Sequence, residues 1–265
     1  MSFALGPAAR EAGHDLVAYD TVGSTNAEAM ALARGGRAPV WVAARAQTEG
    51  RGRRGRPWST DRGNLAASFS FVTHVDPALA ATLGFVAGLA LEQALRQVAE
   101  SLSPRTARPE LKWPNDLIVD GKKLAGILLE ADKLDETHLA VVVGVGVNIV
   151  SFPEGMPFPA TSLAERGDRT SAEELFEALS DTFVTWLDTW EGGEGLAAIR
   201  KAWMARAAGL GSQVEVDLGQ RRLKGRFESL DERGRMVLRQ PTGIATAVSA
   251  GDVYFGPAAT IRVEG

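Results

Sequence analysis

The chain contains no cysteine, which excludes a disulfide framework, a thiolate metal centre and a cysteine nucleophile. Histidine is nearly as scarce. His14, His74 and His138 stand far apart in the chain without the spacing of a zinc-ligand group, so no protein metal site is expected. No apolar run approaches the length of a membrane span, and the N-terminus lacks the basic-then-apolar layout of a signal peptide; a cytoplasmic protein with no membrane attachment is expected. Excess positive charge is missing too. The formal net charge is −4 at pH 7, which argues against non-specific binding to a polyanion such as DNA. What remains is ordinary for a globular protein: 265 residues, 45% hydrophobic and 23% charged, enough for one substantial domain and a small one.

Against this slightly acidic background one segment stands out. Residues 47–58 read Gln-Thr-Glu-Gly-Arg-Gly-Arg-Arg-Gly-Arg-Pro-Trp, with Arg51, Arg53, Arg54 and Arg56 set among Gly50, Gly52 and Gly55. Glycine permits tight bends and close backbone approach to a ligand, and guanidinium groups bind phosphates and carboxylates through paired, permanently charged contacts. Such a loop suits closure over a nucleotide and a reactive acyl phosphate. On composition alone it is equally a solvated basic loop or an Arg-Gly segment touching nucleic acid.

Residues 1–14 read as a loose lead-in and residues 17–19 as a short strand. Ser24 or Thr25 caps a helix running to about residue 33 and ended by Gly35-Gly36. Residues 40–46 form an apolar strand feeding the Arg-Gly loop, and residues 65–72 form another. Asp76-Pro77 opens one long helix through residue 98. Residues 111–113 make a strand ended by Pro114. A hairpin of 117–119 and 123–131 turns at Asp120-Gly121, and residues 139–149 make a valine-rich strand interrupted by Gly144 and Gly146. Ser171 and Glu174 form a capping box for a helix whose stripe, Trp186 and Trp190 included, is core rather than ligand site. A second helix spans about 195–208. From residue 211 the texture changes to short segments, 213–217, 222–228, 236–239, 246–249 and 253–255, separated by turn signals, which is a small all-β unit.

Ser24-Thr25-Asn26, the Arg-Gly loop, Lys112-Trp113-Pro114-Asn115-Asp116-Leu117, Gly121-Lys122-Lys123-Leu124-Ala125-Gly126-Ile127-Leu128 and Gly144-Val145-Gly146-Val147-Asn148-Ile149 occur in this order. Together they resemble the catalytic region of the biotin–protein ligases, closely over residues 24–163 and more loosely to 255. The resemblance implies an α+β fold: a biotin–lipoate ligase catalytic domain, like that of class II aminoacyl-tRNA synthetases, with a mixed sheet over residues 1–210. An SH3-like β-barrel over 211–265 would follow. It implies ATP-dependent ligation of biotin, with Mg²⁺ present, to a lysine of biotin carboxyl carrier protein in acetyl-CoA carboxylase and related biotin-dependent carboxylases, through biotinyl-5′-AMP. A homodimer is left open.

The same resemblance assigns roles. Ser24, Thr25, Asn26 and Gln47 would satisfy the ureido head of biotin, and the serine and threonine could equally serve as helix caps. Arg51, Gly52 and Arg53 would wrap biotin and the adenylate. Lys123 would contact the activated carboxylate and α-phosphate, and Arg56 and Trp58 would order the loop around the nucleotide, with Trp58 offering a face to adenine. Gly126, Gly144 and Gly146 would admit the ligand close to strand backbone, or else mark bulges or twist. Asn115 and Asp116 would hold the Mg²⁺-nucleotide region or the incoming lysine, or form only an Asx turn after Pro114. Asn148 would reach the nucleotide side. Arg53, Lys123 and Asp116 are thus the expected catalytic set. In the tail, Lys224, Arg226 and Arg262 are basic candidates without assigned roles.

Other readings fit less well. Lipoate or octanoate transferases share the fold, but their Arg-Arg-x-Ser-Gly-Gly-Gly-Ala signature and a thioester cysteine are missing. Only 23 residues precede Ser24, too few for a helix-turn-helix domain, so no operator binding is expected. An Arg-Gly RNA-binding module would need repeated motifs or interleaved aromatics.

Overall fold

A computed structural model describes residues 2–102, 107–153, 155, 158–219 and 221–255; Arg262 lies outside the described residues. A seven-stranded mixed sheet runs in the order β1-β2-β3-β7-β6-β5-β4. Its strands are β1 (Asp15–Tyr19), β2 (Val40–Ala44), β3 (Leu65–Thr73), β4 (Glu110–Lys112), β5 (Asp116–Val119), β6 (Lys122–Lys133) and β7 (Leu139–Val147). Only β1 and β2 are parallel, joined by α2 (Thr25–Arg34); the remaining pairs are antiparallel.

Side-chain alternation along the strands decides which face meets what. Val141, Val143, Val145 and Val147 of β7, with Trp41 and Phe69, enter the main core. That core packs against α4 (Leu83–Val98) and α5 (Ala172–Trp190). Trp41 touches Phe69 and Phe183 at ring-centroid distances of 5.0 and 5.3 Å. On the opposite face Val42 and Val142 meet Ala29 of α2 in a small separate cluster. Beyond it this face offers Ser68, Gly144, Gly146, Gly126 and Leu128 in place of a second apolar layer, and there the cavity forms. The capping box at Ser171 and Glu174 is present at the start of α5, and Trp190 is buried with its indole N–H donating to Thr82 Oγ1 at 2.9 Å.

After α6 (Leu196–Met204) the chain runs beside the edge strand β4. Leu111 N donates to Arg206 O and Ala208 N to Leu111 O, both at 2.9 Å, which pairs an otherwise open edge. A five-stranded antiparallel sheet follows, ordered β11-β10-β9-β8-β12. Its strands are β8 (Gln213–Asp217), β9 (Arg222–Leu230), β10 (Met236–Arg239), β11 (Ala245–Val248) and β12 (Asp252–Phe255). It docks on the larger unit. Trp113 Nε1 donates to Gly234 O at 3.4 Å, and a Cβ on Gly234, whose φ is +76°, would come within 2.4 Å of the Phe85 ring.

Four expectations are corrected. The first 14 residues are not a loose lead-in: α1 (Pro7–Glu11) forms there, Phe3, Leu5 and Ala9 are buried, and Gly6 N donates to Ser180 Oγ at 2.9 Å. The single long helix is divided into α3 (Pro77–Ala80) and α4, and at the break the backbone bonds tighten to i→i−3, Thr82 N donating to Leu79 O at 3.0 Å and Phe85 N to Thr82 O at 2.9 Å. The segment Pro77–Val98 does pass as a membrane span by length and composition, yet 78% of that window is buried within the protein; it is apolar all round because it sits between the sheet and α5. Lastly, His74 and His138 are not apart in space. Thr73 and Leu139 are register partners of β3 and β7, so the two imidazoles that flank this pair meet at 4.4 Å between centroids.

Candidate active site

A cavity of about 340 Å³ opens on the α2 face of the sheet and is lined by every residue to which the resemblance gave a role: Ser24, Thr25, Asn26, Gln47, Arg51, Gly52, Arg53, Arg56, Trp58, Asn115, Asp116, Lys123, Gly126, Gly144, Gly146 and Asn148. That volume is in the usual range for a small-molecule site. Chain segments far apart in sequence converge there because β3, β7 and β6 are adjacent and α2 starts above them.

One end is polar and uncharged. Ser24 caps α2, accepting from Ala27 N at 3.5 Å. Gln47 Oε1 receives Thr25 N at 2.8 Å and lies 3.0 Å from Thr25 Oγ1, while its Nε2 donates to Thr60 Oγ1 at 3.0 Å. Asn26 is held at both ends of its amide: Nδ2 donates to Glu130 Oε2 at 2.7 Å and Oδ1 accepts from Ser68 Oγ at 2.6 Å. A Cβ at Gly144 would lie 2.1 Å from Asn26 Oδ1, so this glycine makes room for the Asn26 amide.

The other end is cationic. Lys123 Nζ is 2.6 Å from Asp116 Oδ1 and 5.4 Å from the Trp58 ring centroid. Arg53 donates to Asn115 Oδ1 at 2.9 Å, and Asn115 Nδ2 donates to Ile127 O at 2.7 Å, so Asn115 ties the loop to β6. Burial lowers the Arg53 pKa, opposed by the nearby Asp252 and Asp116 carboxylates. The indole of Trp58 lies on the sheet: a Cβ at Gly146 would come 2.4 Å from its Nε1, and one at Gly126 3.3 Å from its Cζ3. Both glycines therefore accommodate Trp58 here. Asn148 is buried and donates to Lys123 O at 3.4 Å and Thr161 O at 3.1 Å. It holds the backbone that carries Lys123 while lining the cavity.

Several residues at the site had no role assigned from sequence. Lys112 lines the cavity, with its ammonium over Phe158 at 4.6 Å and Phe255 at 5.5 Å. Burial depresses its pKa, Asp116 opposes that and Lys123 adds to it. Asp252, from the small sheet, lies 2.6 Å from Arg56 and 3.4 Å from Arg54; it supplies counter-charge to the loop's arginines. Lys112 stands inside a segment already notable in the sequence and Asp252 just before the last expected strand, yet only the fold shows that they face the same cavity. Ser68 carried a faint signal, a polar residue alternating within an apolar strand, and Glu130 carried none. Among the described residues no group of three or more His, Asp or Glu side chains could hold a metal ion.

Residues 25–148 match the Biotin/lipoate A/B protein ligase family, and residues 209–256 match the Biotin protein ligase C terminal domain. The chain is 40% identical to a biotin–[acetyl-CoA-carboxylase] ligase of Paracoccus denitrificans over 88% of this chain and 97% of that protein. It is 38% identical to the same enzyme of Mycobacterium tuberculosis over 90% of this chain and 87% of that one. Among solved structures, a biotin protein ligase from Aquifex aeolicus in complex with biotin and ATP superposes with a TM-score of 0.73 at 25% identity, covering 91% of this chain and 97% of that one. With sequence, fold and cavity in agreement, the chain belongs to the biotin protein ligases of the biotin/lipoate A/B protein ligase family.

Proposed function

We propose that this cavity activates biotin with ATP to biotinyl-5′-AMP and passes the biotinyl group to a lysine amine of biotin carboxyl carrier protein, the carrier part of acetyl-CoA carboxylase. A carboxylate is a poor electrophile at neutral pH. Attack of biotin's carboxylate on the α-phosphate of ATP, with pyrophosphate leaving, turns it into a mixed anhydride; the lysine amine then attacks the acyl carbon and AMP leaves. Negative charge grows on phosphate oxygens in the first step and on the acyl oxygen in the second. Fixed cations aimed at those positions lower both barriers.

The observation that carries this reading is the division of one cavity into an uncharged polar head and a cationic mouth. Thr25 and Gln47 line the polar head, where they would face the ureido ring, and Lys123 and Arg53 line the cationic mouth, where carboxylate and α-phosphate would meet. Arg51, Gly52, Arg56 and Trp58 cover the adenylate. Asp116, 2.6 Å from Lys123, orients that ammonium and is placed to accept the proton the incoming amine loses. Mg²⁺ would ride on the triphosphate with at most one or two carboxylates added, Asp116 and Asp252 being the lining candidates, which is the ion's habit with nucleotides. It would supply charge neutralisation for the leaving pyrophosphate. The catalytic unit spans 1–210 and an SH3-like unit 211–265, and the enzyme works in the cytoplasm. Incubation with ATP, Mg²⁺, biotin and a carrier domain, followed by mass spectrometry of the acceptor lysine, tests the proposal. An unmodified carrier would overturn it.

A further inference from the structure

We propose that His74 and His138 form a surface site for one divalent transition metal of the class that imidazole binds, copper, nickel or zinc, at the end of the sheet away from the cavity. It stands apart from the biotin reading. None of its residues lines the cavity, and six residues of chain, roughly 20 Å of strand, separate His138 from Gly144.

Strand pairing brings the two ligands together. β3 and β7 are antiparallel with Thr73 opposite Leu139. The residue after Thr73 and the residue before Leu139 continue that opposition, and both are histidine. Directly opposed residues have Cβ atoms about 4.5–5.5 Å apart, and the two rings lie 4.4 Å apart between centroids at an interplanar angle of 53°. Side chains this close can reach one ion, which imidazole nitrogen binds at about 2.0–2.1 Å in the case of zinc. Both are open to solvent, His74 as an exposed residue and His138 with 41% of its side chain exposed. Each ring can therefore turn toward the ion, and water can fill the remaining coordination positions.

Asp135 supplies the second observation. The Nδ1 of His138 lies 2.9 and 2.8 Å from its two carboxylate oxygens. An ionised carboxylate only accepts, so Nδ1 carries the proton and the neutral ring keeps its lone pair on Nε2. The backbone N–H of Thr137, the His138 ring and the backbone N–H of His138 hold the Asp135 carboxyl well below the usual carboxylate range. A carboxylate on the far nitrogen is the usual support of a metal-binding histidine, fixing its tautomer and raising its basicity. Asp135 thus steadies the ligand without touching the ion.

Two nitrogens and water suit Cu²⁺, Ni²⁺ or Zn²⁺, and they suit Mg²⁺ poorly because it takes oxygen ligands. The chain has no cysteine and only one other histidine, His14, whose Nδ1 accepts from Trp41. No other two imidazoles can act together. His74 and His138 are 64 residues apart in the chain, so folding creates the site, and a metal bound there stabilises the native state. Spacing along the chain gave no sign of it, because the pair is made across strands.

The test is calorimetric titration of untagged wild type, His74→Ala, His138→Ala and Asp135→Asn with copper(II), nickel(II) and zinc(II) chlorides, with melting curves and copper electron paramagnetic resonance alongside. Wild type should take up one equivalent of metal, Cu²⁺ most tightly, and excess Mg²⁺ should not displace it. Either histidine variant should raise Kd at least tenfold through loss of the chelate, and its copper spectrum should show one coordinated ring in place of two. Asp135→Asn, which keeps an acceptor but loses the charge, should weaken binding roughly tenfold. Saturating Zn²⁺ should raise the wild-type melting temperature by a few degrees and leave that of His74→Ala unchanged. The metal-free His74→Ala protein should melt within about 2 °C of wild type, since the ring is exposed. None of these readouts depends on biotin, so they stand or fall separately from the proposed function. Equal affinity in wild type and both histidine variants, loss in only one of them, or wild-type binding no tighter than millimolar overturns the inference.

Discussion

Lys123 and Arg53 illustrate how much a single charged group can do when the fold half-buries it. Neither packs the core, so Lys123→Ala and Arg53→Ala should keep the wild-type melting temperature while losing adenylate formation. Removing one donor aimed at a developing charge costs about 2–4 kcal/mol, hence a fall of roughly 30-fold to 1,000-fold in biotin-dependent pyrophosphate exchange. Near-normal exchange in both variants would remove them from the catalytic set. His14 makes a different prediction, about stability. Trp41 Nε1 donates to its Nδ1 at 3.3 Å, a bond that needs the neutral ring. Burial holds its pKa below 6.5, only partly offset by Asp188. The unfolded chain therefore binds the proton more readily, so the His14 contribution is complete above about pH 6.5 and is lost as pH falls below it. Thermal melts from pH 7.5 to 5.5 should show a decline in wild type that is shallower in His14→Gln; identical slopes would contradict the assignment.

At the scale of elements, the Arg-Gly loop is a turn whose backbone and arginines have partners. Gly52 N donates to Arg56 O at 2.7 Å and Trp58 N to Gly50 O at 2.9 Å, and Asp252 pairs with Arg54 and Arg56. These ion pairs are partly exposed, so each is worth little alone, and three glycines still make ordering costly. Biotinyl-5′-AMP should slow hydrogen exchange across residues 50–58, and Asp252→Ala should speed that exchange in the ligand-free enzyme while leaving β3 and β7 unaffected. If ligand leaves the loop's exchange unchanged, the loop is a preformed wall and not a lid. The elements themselves were largely legible. Period-two and helical patterns located the strands and helices, and β8 and β10 match their expected bounds residue for residue, because turn residues flank them on both sides. The division between α3 and α4 was not legible, since it is a local tightening of the backbone bonds around Thr82 within a continuous apolar pattern.

For the whole molecule, the small β-sheet is part of the active site and not an appendage. It supplies Asp252 and neighbouring Gly251 and Val253 to the cavity lining, and it covers Trp113 and Phe85 of the larger unit. A chain ending at residue 210 should therefore melt at a lower temperature and lose pyrophosphate exchange, even though the motif residues remain. Circular dichroism and the exchange assay on that truncation check both points, and full activity would show the small sheet to be dispensable.

By itself the sequence determined the class of chemistry and the main participants. Arginine and glycine type, the Lys-Trp-Pro-Asn-Asp and Gly-Lys-Lys-Leu-Ala-Gly segments and their order are local facts, and local facts survive without coordinates. Tertiary structure decided the orientation of the groups. Strand register put Ser68, Gly144 and Leu128 in one row, docking of β12 brought Asp252 to the loop, and crossing of the sheet let Glu130 fix an amide 104 residues away. Those placements depend on long-range pairing, where one residue of slip turns every side chain to the other face. No pattern read along a single strand contains that information.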